Sequence, residues 1–245
     1  MQTEILKSRV FDLQKAAFVS GAPRFLGFLS PEEATFVKSL PKNGTEFSFF
    51  GGFEDAERVF LCVCAQESLI DPAAYPIEPL TISYRACDKL SHRDFLGALL
   101  SKGIKRETVG DILIESGRAV LFVARDISKY LIEQTTEIGR VGVSIKRGAE
   151  FPLPNASEKV EITHTVASLR LDCVVAALIS ASREKSAKII ADSFVSVNSV
   201  ITQKATKIVA VGDKISVRGF GKFTVISADG ITRKGRTVLI TQKYK

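Results

Sequence analysis

His92-Arg93-Asp94 is the one place in the sequence where an imidazole, a guanidinium and a carboxylate stand side by side, a set that could move protons. The same spacing makes Ser91 a helix N-cap with Asp94 at the capping-box position, which explains these residues without any catalysis. The other side chains suited to chemistry are cations. Lys105 and Arg106 form a compact basic pair after Gly103, either a contact to RNA phosphate or a solvated turn. Arg170, Arg183, Lys185, Lys188, Arg218 and Lys222 follow in the last third of the chain. Arg233, Lys234 and Arg236 make a further basic turn, read as solvated surface. Two histidines (His92 and His164) and four cysteines (Cys62, Cys64, Cys87 and Cys173) with no CxxC pair offer neither a His-rich metal site nor a zinc ribbon nor a thioredoxin-type motif. No GxxxxGK[ST] or GxGxxG is present to hold a nucleotide, so no cofactor is expected.

The cations are unevenly distributed. Residues 168–245 carry 14 Lys and Arg against 5 Asp and Glu, a net of +9, whereas residues 1–167 carry 20 against 22, a net of −2. One part of the chain is therefore suited to a polyanion and the rest is not, although surface charge also serves solubility. The composition, 45% hydrophobic and 25% charged over 245 residues, is that of a globular chain long enough for two or three domains. No run approaches the roughly 18 apolar residues of a spanning helix, and the opening MQTEILKSRVFDLQ lacks the apolar core of a signal peptide. A cytoplasmic protein without membrane attachment is expected.

Elements that must position these groups can be read from periodicity. Residues 1–76 read as a small α+β domain, with a helix over 3–19, a second from the Ser30-Pro31 start to before Pro41, and strands at 46–50 and 58–65 around the loop 51–57. Residues 77–150 read strand 80–85, helix 91–100, strands 111–115 and 119–124, helix 126–135 and strand 141–146. That βαββαβ order predicts a ferredoxin-like (RRM-like) domain. Its sheet offers only Tyr84 and Phe122 in its first and third strands, too few aromatics for RRM-type base stacking. Residues 151–167, with Pro152 and Pro154, read as a linker or exposed strand. Residues 168–245 then give a helix over 170–180, a second after the Ser182 cap, and strands at 194–197, 214–218, 222–227 and 237–241. The fold class is α+β.

The run RLDCVVAALISASREKSAKIIADSFVSVN, followed by VGDKISVRGFGKF, resembles the S4 RNA-binding domain in its R-L-D helix start, S-R cap, V-x-V-N strand and G-D-x-I strand start. The resemblance implies an RNA-binding surface that includes Arg170, Ser182, Arg183, Lys185, Lys188, Asn198, Arg218 and Lys222. Arg183 has an alternative use in a helix-cap salt bridge. The chain departs from the S4 pattern at Ser193 and Ser199, where that family usually has glycine, which places serine at left-handed positions.

FFGGFEDAER at residues 49–58 and SHRDFLGALLSKGIKRETVGDI at residues 91–112, ahead of the S4-like unit, are similar to the YlmH family of S4-domain proteins. That resemblance implies a non-enzymatic RNA-binding protein of the translation apparatus. It would bind structured rRNA and tRNA on the large ribosomal subunit, in translation or ribosome-associated quality control. No small-molecule substrate is expected, and the residues do not fix the oligomeric state, for which a monomer is the expectation. Two other readings stay open. An RNA-modifying enzyme targeted by its S4 domain lacks the glycine-rich cofactor loop a methyltransferase would need, since Gly51-Gly52 has no G-x-G spacing. An interaction adaptor linked to cell division would dock a partner through the near-neutral N-terminal domain.

Overall fold

Leu6, Val10, Gln14 and Ala17 recur at helical spacing, and they form the buried stripe of α1 (Gln2–Ser20). Gln14 is the one polar member, and its amide is satisfied: Nε2 donates to the Pro41 and Lys42 carbonyls at 2.9 and 2.8 Å, and Oε1 accepts from Asn43 at 3.2 Å. α1 thereby fixes the turn that leads into β2. A strand that periodicity alone does not predict, β1 (Arg24–Leu29), comes next, and then α2 (Pro31–Lys38), started by the reciprocal Ser30–Glu33 capping box. β2 (Glu46–Phe50) and β3 (Val59–Cys64) complete an antiparallel sheet in the order β1-β3-β2.

β4 (Ile77–Ser83), α3 (His92–Ser101), β5 (Val109–Glu115), β6 (Arg118–Ala124), α4 (Arg125–Gln134), a minimal hairpin of β7 (Glu137–Ile138) and β8 (Val141–Gly142), and β9 (Ser144–Arg147) follow. The four-stranded sheet runs β5-β6-β4-β9 with every pairing antiparallel, which is the expected ferredoxin-like topology. Strand alternation decides its packing. Ala119, Leu121 and Val123 of β6 face a core with Phe95, Leu99 and Leu131 of the helices. Val120, Phe122 and Ala124 face the other way, into a core with Phe28, Phe60, Cys62 and Tyr75. The sheet face on which an RRM stacks bases is therefore filled by the three-stranded sheet. Residues 1–76 and 77–150 share this aromatic core and lie in one compact unit, Met1–Ala156.

The second unit is Ser157–Lys245. It contains β10 (Lys159–Val166), α5 (Leu171–Leu178), α6 (Arg183–Ala191), β11 (Val195–Val197), β12 (Val200–Ile201), β13 (Lys214–Val217), β14 (Gly221–Ile231) and β15 (Thr237–Tyr244), with the sheet ordered β10-β15-β14-β13-β11-β12. Part of the stretch read as a linker or exposed strand is an eight-residue strand, paired along its whole length with β15. Its alternation (Val160, Ile162, His164 and Val166 against Glu161, Thr163 and Thr165) is the strand signal that the neighbouring prolines mask. Val174, Val175, Leu178 and Ile190 of the two helices pack on Val195, Val197, Ile215, Val217, Phe223, Val225 and Leu239 of the sheet. The computed structural model describes residues 2–65, 70–154, 159–232 and 235–244. No helix among them is long and apolar enough to cross a membrane.

Candidate nucleic-acid interface

Asp172 organises the start of the helix pair. Its carboxylate is almost wholly buried and accepts from Arg170 at 2.9 Å, Arg183 at 2.9 Å and the Cys173 amide at 2.9 Å. The Arg170 hydrogen bond, and after it that of Arg183, holds the Asp172 carboxyl well below the usual carboxylate range against the opposing effect of burial. Both arginines expected at an RNA surface therefore share one carboxylate, and the cluster keeps a net positive charge. The Arg183 side chain remains 58% exposed, so part of its donor fork faces solvent. The salt bridge that is the alternative use of Arg183 is thus present, and it leaves the guanidinium open to an anion.

Ser182 caps α6, its hydroxyl accepting from the Lys185 amide at 3.2 Å. Ser186, fully buried, donates to the Asp172 carbonyl at 2.7 Å and fastens α6 to α5. Lys185 and Lys188 are exposed, three residues apart on α6, which puts them on neighbouring positions of one helix face. Among the described residues no ion pair engages either of them.

Asn198 holds the hairpin. Its side chain donates to Asp213 at 2.7 Å and accepts from the Lys214 amide at 2.9 Å, so the V-x-V-N and G-D-x-I segments are joined by their own polar groups. Asn198 and Ser199 both have positive φ (51° and 65°), as the two central residues of a type I′ turn require, and Ser193 has φ 62°. The two serines that replace the usual glycines do sit in the left-handed region.

Arg218 and Lys222, the other two cations that the S4 resemblance implies, lie at the sheet. Ser196 of β11, Ser216 of β13 and Lys222 of β14 are cross-strand neighbours, and Arg218 donates its amide to the Phe194 carbonyl at 2.9 Å one step further along the same register. Val195, Val197, Ile215 and Val217 alternate with them and face the helices, so Arg218 and Lys222 project from the opposite face of the sheet. The residues that the S4 resemblance implies therefore fall into two sets: Arg170, Ser182, Arg183, Lys185 and Lys188 on the helix pair, and Arg218 and Lys222 on the open sheet face. Asn198 sits in a turn at the hairpin. Phe194, which residue type alone does not single out, has its ring under Arg218 at 5.4 Å. Alternation along SFVSVN already places it outward, opposite Val195 and Val197.

Lys105 and Arg106 belong to the other unit. Lys105 is exposed. Arg106 is turned inward, donating to the Val109 carbonyl at 2.5 Å, and burial pulls its guanidinium below its ordinary pKa. It neighbours Arg58, which donates to the carbonyls of Val109, Phe28 and Arg106 at 2.9, 2.8 and 3.1 Å. Burial, and then Arg106, brings Arg58 down to about 10. Asp111 completes this seam by accepting from the Glu57 amide at 2.6 Å and the Arg58 amide at 3.2 Å. The segments 49–58 and 91–112 thus meet in space as a structural joint. At Gly52 (φ 103°) a Cβ would stand 2.3 Å from the Phe122 ring. Asp94 of the His-Arg-Asp triplet accepts from the Ser91 amide at 2.8 Å and its hydroxyl at 2.6 Å, the capping arrangement rather than a proton relay.

An α+β chain with a basic two-helix surface over a six-stranded sheet, joined to a ferredoxin-like unit, has the construction of a nucleic-acid-binding protein. Residues 72–150 match a family model described as "Putative RNA-binding domain in YlmH". "Ribosome-associated protein quality control protein P2" of Bacillus subtilis (strain 168) is 31% identical over 223 residues, covering 89% of this chain and 86% of that protein. The solved structure of "Cell division protein ylmH from Streptococcus pneumoniae" shares the fold with a TM-score of 0.52 at 24% identity, over 61% of this chain and 92% of the other. The chain belongs to the YlmH family.

Proposed function

We infer that this protein is a non-enzymatic RNA-binding factor that associates with the large ribosomal subunit and acts in ribosome-associated quality control, holding structured rRNA and tRNA through phosphate contacts. The observation that carries the RNA-binding part is the exposed surface of α6 in the +9 unit, where neither Lys185 nor Lys188 has a neutralising ion pair among the described residues and the Arg183 side chain is 58% exposed. The S4 resemblance supports the same surface, since two short helices on a small sheet present cations that can straddle RNA phosphates. Arg170 and Ser182 position that surface, Arg218 and Lys222 extend the basic surface to the sheet, and Lys105 offers a separate contact from the other unit. Asn198 shapes the hairpin of this unit, and Arg106 shapes the turn of the other unit that carries Lys105. The ribosomal and quality-control assignment follows the relative's name. A cytoplasmic location follows from that role.

Ultraviolet crosslinking in growing cells, followed by sequencing of the attached RNA, tests this reading. Crosslinks concentrated on large-subunit rRNA and tRNA are expected, and crosslinks spread over messenger RNA in proportion to abundance would overturn it.

A further inference from the structure

On the open face of the second unit's sheet, Phe194 is 40% exposed even though the next residue, Val195, is fully buried. The Arg218 guanidinium stacks on its ring with 5.4 Å from carbon to centroid, and among the described residues no ion pair engages Arg218. A second cation–ring pair among the described residues of this unit, Lys243 over Phe223, differs in kind, because Phe223 is 1% exposed and belongs to the core. On the same face as Phe194 lie Ser196 and Ser216 next along the register, then Lys222, with Ile201, 63% exposed, paired across from Ser196 and Phe220, itself 40% exposed, in the turn between β13 and β14. A single exposed phenylalanine needs no explanation. An exposed ring carrying an arginine without a carboxylate partner, beside a row of serines that permits close approach, is what a flipped-out base requires: a π-face to stack on and a planar cation beside it for the phosphate.

We propose that Phe194 and Arg218 form a stacking platform for one unpaired nucleotide of a structured RNA. This rests on the RNA-binding reading above and adds to it a second kind of recognition. The helix face engages phosphates irrespective of base pairing, and the sheet face selects RNA that carries an unstacked base. The base takes the place of the Arg218 guanidinium on the Phe194 ring, and Arg218 turns to the adjoining phosphate, with Lys222 on the same face.

The test uses the full chain and two RNA hairpins of equal length and charge, one carrying a single bulged 2-aminopurine and the other with that nucleotide paired in the stem, titrated at low salt. The wild-type chain should bind the bulged hairpin about 10-fold more tightly and change the fluorescence of the bulged base, a preference in the range of one base–aromatic stack. Phe194→Leu should bring the ratio of affinities close to one while affinity for the paired hairpin stays within about twofold, Phe194→Tyr should keep the preference, and Arg218→Lys should reduce it. Circular dichroism and thermal melting of each variant separate these effects from misfolding. If the wild-type chain binds both hairpins equally, or Phe194→Leu keeps the full preference, the platform is refuted while RNA binding stands. Failure of the wild-type chain to bind either hairpin refutes the RNA reading itself, and the platform with it.

Discussion

Asp172 Oδ2 accepts from Arg183 Nε at 2.9 Å, linking the first turn of α5 to the first turn of α6. The contact sets the angle at which the helix pair presents its cations, because the same carboxylate also holds Arg170. Asp172→Asn removes the charge but little volume. It should lower the stability of the second unit by about 2 kcal/mol, the scale of charge-assisted hydrogen bonds. The pH dependence follows from the sign of the shift. The folded carboxyl is held below its unfolded value, so its contribution is complete above the ordinary carboxylate range near pH ~4 and fades as the pH falls towards the depressed folded value. Urea unfolding at about pH 7 and about pH 3 should show a smaller difference between variant and wild type at the lower pH.

Lys185 and Lys188 are exposed, and among the described residues neither is in an ion pair, so reversing them disturbs no internal salt bridge. Lys185→Glu with Lys188→Glu should leave stability within about 0.5 kcal/mol. RNA affinity should fall about 10-fold or more at low salt, and the slope of log affinity against log salt should become shallower by about 1 for each phosphate no longer engaged. Filter binding over a salt series checks both, and an unchanged slope would take these lysines out of the interface.

Serine at φ 62° and 65° carries a cost that glycine does not. Ser193→Gly and Ser199→Gly should each stabilise the second unit by about 0.5–1 kcal/mol, read as a rise in its urea midpoint. RNA affinity should stay the same, because both substitutions relax the backbone and remove no cation.

The seam of the first unit gives the opposite sign. Arg58→Met keeps the length of the stem and abandons three carbonyls, at a cost of about 2–3 kcal/mol. Gly52→Ala meets the Phe122 ring and the positive φ together and should cost at least as much. Thermal melting of the full chain should show these losses in the first unit, with RNA affinity retained by the second.

Local periodicity carried most of the fold. The helices and all but the shortest strands of the ferredoxin-like topology could be read, because each element's apolar spacing is uninterrupted. β1 escaped because Gly27 interrupts RFLGFL, and the structure explains that glycine: a Cβ there would stand 2.6 Å from the Glu107 carbonyl oxygen. The shared core of residues 1–76 and 77–150 escaped for a different reason, since a strand buried on both faces, such as VFLCVC in β3, looks the same whichever sheet covers it. Of the site, residue types were legible and relationships were not. Nothing in spacing says that Arg106 points inward, that Asn198 is spent on Asp213, or that Phe194 and Arg218 meet across so long a separation in sequence.

The proposed function rests on a phosphate-dominated association with the large ribosomal subunit. Sedimentation of lysate through sucrose gradients at low and high salt tests it most directly. Co-migration with free large subunits is expected at low salt, with release to the top of the gradient as salt rises. A chain that stays at the top at low salt would contradict it and would assign the basic unit to another polyanion.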